Sequence, residues 1–323
     1  MRKLSPRRTR RTAELLKRGL AVCATLALAW TCGCSRTGPE PVAGARAFAS
    51  PDAAAEALYE AAKAGDAPQV LAIVGPTAKD FLLSGDASQD ARAFKWYTDA
   101  YQQMHRWGEL EGGDRVLIVG IVNYPFPFPL RKSADGRWAF DAEGGREEFL
   151  ARRIGDNELE VMGVLTAMAE AQHEYFSKPR DDSGLQQYAR KFVSSTAKND
   201  GLYWPAAAGE TESPLGPLIA RATKEGFTGV AGAPAPFHGY FFRILTQQGP
   251  HAEGGAHNYI VDGNMTGGFA FLAYPAEYRN TGVMSFLIDQ DGELYQKDLG
   301  PQTVQVAESL TSLDPDPSWV PAQ

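Results

Sequence analysis

The sequence predicts an α+β fold: N-terminal helices and a small antiparallel sheet come first, followed by a long helix and a β-rich final third. Apolar residues recur at helical spacing between residues 50 and 106 and again between 144 and 176. Runs of β-branched and aromatic residues bounded by turn signals occupy 115–140 and 240–297. Because helices and strands are segregated along the chain rather than alternating, an α+β arrangement is favoured over a parallel α/β sheet.

The first predicted domain, residues 50–142, opens with a helix-start signal. Ser50 can cap the helix, Pro51 suits its first position, and Gly65 ends it. Further helices are predicted at Pro68–Val74 and Ser88–Arg106.

Strands follow these helices within the same domain. Val116–Val122 is an apolar β-branched run, and Arg137–Phe140 follows the turn Asp135-Gly136. Between them, Phe126–Arg131 alternates around prolines, which cannot donate to a ladder, so this segment is predicted at a sheet edge or as an extended arm.

The second predicted domain, residues 143–314, begins with the strongest helical pattern in the chain. A break is predicted near Gly155, with Asp156 or Asn157 capping the second part. One apolar stripe of that part comprises Leu159, Met162, Leu165, Met168, Ala169 and Tyr175. A short helix is predicted at Leu185–Val193, and 194–236 is rich in Gly, Pro and Ala.

The final third is predicted to be mostly β-structure, with a turn at Asp291-Gly292, a helix at Gln302–Ser312 and a tail at 315–323. The predicted strands are Tyr240–Thr246, Phe269–Tyr274, Gly282–Ile288 and Glu293–Lys297.

The N-terminus carries an export signature. Residues 1–33 contain eight basic residues and one acid, and an uncharged, mostly apolar run from Gly19 to Thr31 is too short to span a bilayer comfortably. Gly33-Cys34 resembles the cleavage site of bacterial lipoproteins, in which the cysteine is acylated. We therefore expect 1–33 to be a signal peptide, Cys34 to be lipidated and 34–49 to be a tether.

Ordinary secretory cleavage remains an alternative, because Thr31 stands where lipoprotein signals usually carry Leu. Either route predicts a protein of the cell envelope. With Ser35 after the lipidated cysteine, the expected place is the periplasmic side of the outer membrane.

Charge and cysteine usage exclude several classes of function. Without residues 1–33 the chain keeps 24 basic and 38 acidic residues, a net charge of −14 at pH 7. Nucleic-acid binding requires clustered Lys and Arg, so it is not expected, and attachment to an anionic membrane would depend on the lipid. No cysteine follows Cys34, so the domain must be held by an apolar core.

No motif indicates a metal or a cofactor. His251, Glu253, His257 and Asp262 crowd into one segment, but their spacing matches no ligand pattern and favours a solvated loop. If Asp289 began a calcium loop, its twelfth position would be Gly300 instead of Glu. Walker, dinucleotide-binding and zincin motifs are absent from the sequence.

The candidate binding residues are Tyr203, Trp204, His238 and Tyr240. A long aromatic loop, 201–240, is expected to fold over the sheet and to bind an envelope protein, a peptide or a glycan. Alternatively, His238 could act as the general base of an envelope hydrolase, although no nucleophile-elbow motif accompanies it. No catalytic residue can be assigned from the sequence.

Long segments of the chain resemble a bacterial envelope family catalogued as domain of unknown function 2950. The resemblance covers nearly all of the exported part and implies export, frequent lipid anchoring and no established activity. It rests on "SPDAAAEAL", "AAKAGD", "PFPFPL", "ARRIGDNEL", "DGLYWPAAAGE", "SPLGPL", "FHGYFFRIL" and "GVMSFLIDQDGELYQKDLGP".

The C-terminal part is also similar to pilin-like and pseudopilin heads, in which a long helix packs on an antiparallel sheet. The similarity rests on the helix around Tyr175, then "GYFFRIL", Ala273-Tyr274-Pro275, Gly282–Phe286 and Asp289–Gly292. This chain lacks the apolar helix that joins a pilin head directly, so the resemblance implies the fold and not filament assembly.

Overall fold

Three helices begin the folded part of the chain. A computed structural model describes residues 42–180, 183–206, 209–224 and 235–322. The Ser50 side chain accepts a hydrogen bond from the Ala53 N–H over 3.2 Å, which confirms the predicted start of the first helix. The helices are α1 (Pro51–Lys63), α2 (Ala67–Val74) and α3 (Ala87–Gln103), with 3₁₀ turns at Pro76–Asp80 and Glu111–Gly113.

A small antiparallel sheet follows α3. Its strands are β1 (His105–Glu109), β2 (Arg115–Val119), β3 (Tyr124–Pro125), β4 (Leu130–Lys132) and β5 (Trp138–Phe140). They run in the order β1-β2-β4-β5, with β3 also beside β2. The edge placement predicted for Phe126–Arg131 is wrong for its last part, because β4 lies between β2 and β5.

The predicted helix Ser88–Arg106 is too long at its C-terminal end. Met104 is extended, with φ −168° and ψ 138°, and His105–Glu109 pairs with β2 instead. The Trp107 indole N–H donates to Asp52 on α1 over 2.8 Å, which fixes this strand beside the helices.

The long helix α4 (Arg146–Phe176) runs without a break, so the interruption predicted near Gly155 is wrong. Space is open where a Gly155 side chain would lie, and the helix passes through this glycine at a cost of about 1 kcal/mol relative to alanine. Asn157 does not cap a new helix, because its side chain is buried in tertiary hydrogen bonds. Leu159 does not belong to the buried stripe either, since it is 66% exposed.

The C-terminal sheet is antiparallel, with the order β14-β13-β12-β11-β6. Helix α4 packs on β11 and β12, which confirms the α+β fold with a long helix on an antiparallel sheet. The remaining elements are α5 (Gly216–Lys224), β6 (Tyr240–Leu245), β7 (Gln247–Gln248), β8 (His257–Asn258), β9 (Ile260–Val261), β10 (Asn264–Met265), β11 (Ala270–Pro275), β12 (Met284–Asp289), β13 (Leu294–Asp298), α6 (Thr303–Ser309) and β14 (Val320–Pro321).

The short helix predicted at Leu185–Val193 is wrong, because this segment is extended. The buried Gln172 side chain donates to the Ala189 carbonyl and accepts from the Ala189 N–H, both over 2.8 Å. Tyr188 N–H donates to Met265 over 2.8 Å, so these backbone groups are bonded outside the segment and not within a helix.

Two hydrophobic clusters form the core of the described chain. One joins α1–α3 and the first sheet, and the other joins α4, the C-terminal sheet and the loop around Leu202, Trp204 and Leu215. The described residues between 42 and 322 nevertheless belong to one compact unit. The domain limits 50–142 and 143–314 stay a prediction.

Several predictions concern residues outside the described ranges. The signal peptide 1–33, Cys34 and the first part of the tether lie there. The described end of the predicted tether is packed: Phe48 is buried and pairs with Trp138. At the other end of the chain, Trp319 is buried and Val320–Pro321 pairs with β13.

Candidate functional site

A cleft of about 680 Å³ lies between the N-terminal helices and the first half of α4. Its volume falls within the range of small-molecule sites, about 300–1,000 Å³. Residues from α1, α2, α3, the loop after β3, α4 and His238 contribute to its wall. A concave, mostly apolar space in which a few polar groups converge is the usual form of a ligand site.

Aromatic side chains form much of the apolar wall. Phe126 and Phe128 meet edge to face at 5.3 Å, Phe128 lies 5.2 Å from Phe149, and Tyr97 lies 5.4 Å from Phe126. Aliphatic residues of α1 and α2 complete this part of the wall: Leu58, Ala62, Val70 and Val74.

The loop "PFPFP" positions the two phenylalanines of this wall. Gly145, at the start of α4, approaches the Pro127 carbonyl oxygen so closely that no Cβ would fit. A glycine is therefore required where the helix meets the loop.

Arg152 on α4 is tied to the opposite wall. Its guanidinium donates to Glu148 over 2.7 Å and to the Pro125 carbonyl over 2.7 Å, and it stacks on the Tyr124 ring at 4.5 Å. The charge of Arg152 is thus largely engaged by protein groups.

Arg153 crosses the base of the cleft. It donates to the carbonyl of Leu82 and, over 2.8 Å, to the Asn280 side chain. Burial lowers the pKa of the Arg153 guanidinium to about 10, although Asp90 and Glu277 act in the opposite direction. The group therefore stays charged at neutral pH and joins both halves of the fold.

Asn157 makes a second bridge across the same junction. It accepts a hydrogen bond from Gln89 on α3 and donates to the Thr281 carbonyl over 2.8 Å. With 3% exposure, Asn157 is among the few buried polar residues of α4.

Two carboxylates lie along the α4 side of the cleft. Asp156 and Glu160 are one helical turn apart, and both are exposed. Burial of its carboxyl group raises the pKa of Asp156, the Glu160 charge raises it further, and Arg152 opposes both. His238 faces Glu160, with Nε2 4.0 Å from Oε2.

His238 reaches the cleft because of an unusual turn before β6. Its φ is 50°, and the following Gly239 has φ 73°. A Cβ at Gly239 would press on Thr281 and on the Asn157 amide, so only glycine fits. The turn therefore places His238 at the cleft wall, where it is 8% exposed.

The four predicted binding residues do not form one site. His238 lines the cleft, whereas Tyr240 is fully buried behind it and donates to the Met284 carbonyl over 2.9 Å. Tyr203 and Trp204 line a separate, smaller cavity of about 380 Å³ together with Glu210. Cys34 lies outside the described residues.

Trp204 holds its own loop against the core. It is 7% exposed, and its indole N–H donates to the Thr211 carbonyl over 3.1 Å. Tyr203 is half-buried, and its backbone pairs with Phe192 and Ser194. Whether this loop binds a partner stays a prediction.

The residues that line the cleft can be compared with the hydrolase prediction for His238. Among the described residues that line it there is no serine, threonine or cysteine. The 4.0 Å separation of His238 and Glu160 is longer than the hydrogen bond expected of a base and its orienting carboxylate.

Most of the cleft could not be identified from the sequence, including Asp156 and Glu160 as a pair and Arg153. Leu159 fits the predicted apolar stripe by its spacing, and only the structure shows that it lies exposed beside the two acids. An exposed leucine between exposed carboxylates marks the mouth of the cleft.

Comparison with protein families assigns the chain. A family described as a protein of unknown function, DUF2950, matches residues 45–321. The chain belongs to this family. Neither the curated proteins nor the solved structures contained a significant match. The similarity to pilin-like heads therefore stays a prediction.

A search for membrane spans covered the described part of this DUF2950 protein. No helix there is both long and apolar enough to cross a bilayer.

Proposed function

We propose that this DUF2950 protein is an exported, lipid-anchored binding protein of the cell envelope, and that the cleft between α3 and α4 is its ligand site. The observation that carries the binding role is the cleft itself, a space of about 680 Å³ with aromatic walls and polar groups at its rim. Such spaces take up small ligands by burying their apolar surface.

A binding role is favoured over hydrolysis by the chemistry of the lining residues. His238 and Glu160 could serve as base and carboxylate, but the described wall offers no hydroxyl or thiol nucleophile of serine, threonine or cysteine. Arg153 and Asn157 are held by hydrogen bonds to Asn280 and to the Thr281 carbonyl, which suits a preorganised binding site.

The binding role can be tested by filling the cleft. Ala93 lines it and is exposed on α3, so Ala93→Phe should occupy the mouth without straining the core. Ala91, on the same helix, is exposed but does not line the cleft, and Ala91→Phe is the matched control. The probe is an uncharged fluorescent dye, N-phenyl-1-naphthylamine.

The dye should bind the wild type and the Ala91→Phe control at one site with similar affinity. Ala93→Phe should weaken that binding about tenfold or more, because burial of the dye in the cleft is lost. Equal dye binding by both variants, with unchanged circular dichroism, would show that the cleft is not the site.

Export and anchoring are supported by the basic cluster before Gly19, the short apolar run and Gly33-Cys34. Mass spectrometry of the mature N-terminus should find an acylated Cys34. Cys34→Ser should move the protein from the membrane fraction to the soluble fraction. A free, unacylated terminus would refute the anchor but leave the binding proposal standing.

A further inference from the structure

The α4 side of the cleft mouth is acidic. Asp156 accepts no hydrogen bond from the described residues, and among them the ion-pair partner of Glu160 is His238 at 4.0 Å. Between the two acids Leu159 is 66% exposed, which continues the apolar surface of the cleft to its edge.

Three arginines line the cleft, Arg92 on α3 and Arg152 and Arg153 on α4, and the two on α4 are hydrogen-bonded to protein acceptors. Arg152 donates to Glu148 and to the Pro125 carbonyl, and Arg153 donates to Leu82 and Asn280. Their N–H groups are thus directed at protein acceptors, whereas the acids present oxygen atoms to the solvent.

Two further acceptors belong to residues of the cleft wall. The side-chain amide oxygen of Gln89 (Oε1) and the Tyr97 hydroxyl are buried and have no hydrogen-bond partner among the described residues. Gln89 contacts Asn157, the residue after Asp156, and Tyr97 is only 6% exposed. Both oxygen atoms can accept a hydrogen bond, and buried polar atoms without a partner are uncommon.

Aromatic faces complete the set. Trp96 lines the cleft, is 46% exposed and meets Tyr124 edge to face at 4.6 Å. The exposed indole ring of Trp96 can attract a cation as well as apolar groups.

We infer that the cleft binds a small organic cation, whose apolar body packs on the aromatic wall and whose ammonium group lies at Asp156 and Glu160. The inference rests on the proposed function, because it names the ligand class of the same cleft. A primary ammonium brings three N–H donors and a positive charge to a cleft with two exposed carboxylates at its mouth and two buried oxygen atoms in its wall that have no partner among the described residues.

The local electrostatics agree with this assignment. Asp156 and Glu160 lie one helical turn apart on α4, and a cation placed beside both carboxylates would be attracted by two negative charges. Because both acids are exposed, each should contribute modestly and should be screened by salt.

Three probes with one apolar body test the inference: 4-phenylbutylamine, 4-phenylbutan-1-ol and 4-phenylbutanoate. Binding is measured by calorimetry at pH 7, where the amine is protonated. The wild type should bind the amine about fivefold more tightly than the alcohol and should bind the carboxylate least. In the double variant Asp156→Asn/Glu160→Gln, the affinity for the amine should fall to that for the alcohol. The affinity for the alcohol should stay within about twofold of its wild-type value.

Glu170→Gln is the matched control, since Glu170 is an exposed carboxylate of the same helix outside the cleft. It should leave all three affinities unchanged. Equal binding of the three probes, or tightest binding of the carboxylate, would overturn the inference while the cleft remains a binding site. If none of the three probes binds, the inference is also overturned. Binding of the neutral dye to the wild type and to Ala93→Phe then shows whether the proposed function fails too.

Discussion

The Asn157 side chain donates a hydrogen bond to the Thr281 carbonyl oxygen over 2.8 Å, and thereby ties the first half of α4 to the turn before β12. The same amide accepts from Gln89 on α3. One buried side chain therefore connects three parts of the fold at the base of the cleft.

Replacing Asn157 by alanine should lower the free energy of unfolding by about 2–3 kcal/mol, because the Thr281 carbonyl and the Gln89 amide lose their partner in a buried position. Urea denaturation at pH 7 measures the change. Glu170→Ala, at an exposed position of α4, should change stability by less than about 0.5 kcal/mol. Equal midpoints for the two variants would contradict this role of Asn157.

The left-handed backbone conformation of His238 should decide which substitutions the protein tolerates at this position. With φ at 50°, His238→Asn should fold with nearly wild-type stability, because asparagine tolerates the left-handed region. His238→Val should lose about 1–2 kcal/mol, since a β-branched residue is strained there. Chemical denaturation of the two variants tests this, and a valine variant as stable as the asparagine variant would refute it.

Although Tyr203 and Trp204 are adjacent, their replacement by alanine should lower the stability of the protein to different extents. Trp204→Ala should cost about 3 kcal/mol, because a buried indole and its hydrogen bond to Thr211 are lost. Tyr203→Ala should cost about 1 kcal/mol, since its side chain is half-buried. Guanidinium denaturation measures both. A Trp204→Ala protein that unfolds at the wild-type midpoint would contradict the structural role of the indole.

Because it preserves the fold better, Tyr203→Ala is also the sharper test of the predicted partner surface. Loss of partner capture from envelope extract by this folded variant would support that surface, and unchanged capture would refute it.

Asp200 should make stability depend on pH in the acid range. Burial opposes ionisation, but hydrogen bonds from Lys191 and Ser195 outweigh it and lower the pKa of Asp200 to about 2. The stabilisation is therefore complete above the unfolded-state pKa, about 3.9, and is lost as the pH falls towards 2.

Asp200→Asn measures this contribution. Because the Asp200 side chain is 36% exposed, the substitution should lower the free energy of unfolding at pH 7 by only about 1 kcal/mol. The difference in stability between variant and wild type should become smaller between pH 4 and pH 2. Thermal unfolding at several pH values follows the difference. A stability difference that stays constant down to pH 2 would exclude the carboxylate as its source.

Helix-start and turn residues in the sequence predicted the elements whose ends depend on residues close by in the chain. Ser50-Pro51 marked the start of α1, and Asp291-Gly292 marked the turn between β12 and β13. The segment Leu185–Val193 could not be predicted in this way, because the Gln172 side chain that keeps it extended lies on another element. Short apolar segments are decided by such tertiary partners.

The cleft was hidden for the same reason. Its wall draws on residues from Leu58 to His238, which come together only when α4 crosses the N-terminal helices. His238 was identified from its place before a strand, but its neighbour Glu160 was not, because their approach depends on the positive φ of the turn. Leu159 was predicted on the apolar stripe by its spacing, and its exposure beside the two acids is seen only in the structure.

A crystal structure of the protein soaked with 4-phenylbutylamine would show whether the cleft binds an organic cation. We expect density for the phenyl ring among Phe94, Tyr97 and Phe126, with the amine nitrogen within about 4 Å of Asp156 or Glu160. A well-ordered cleft without probe density, or probe density only at another surface, would contradict it.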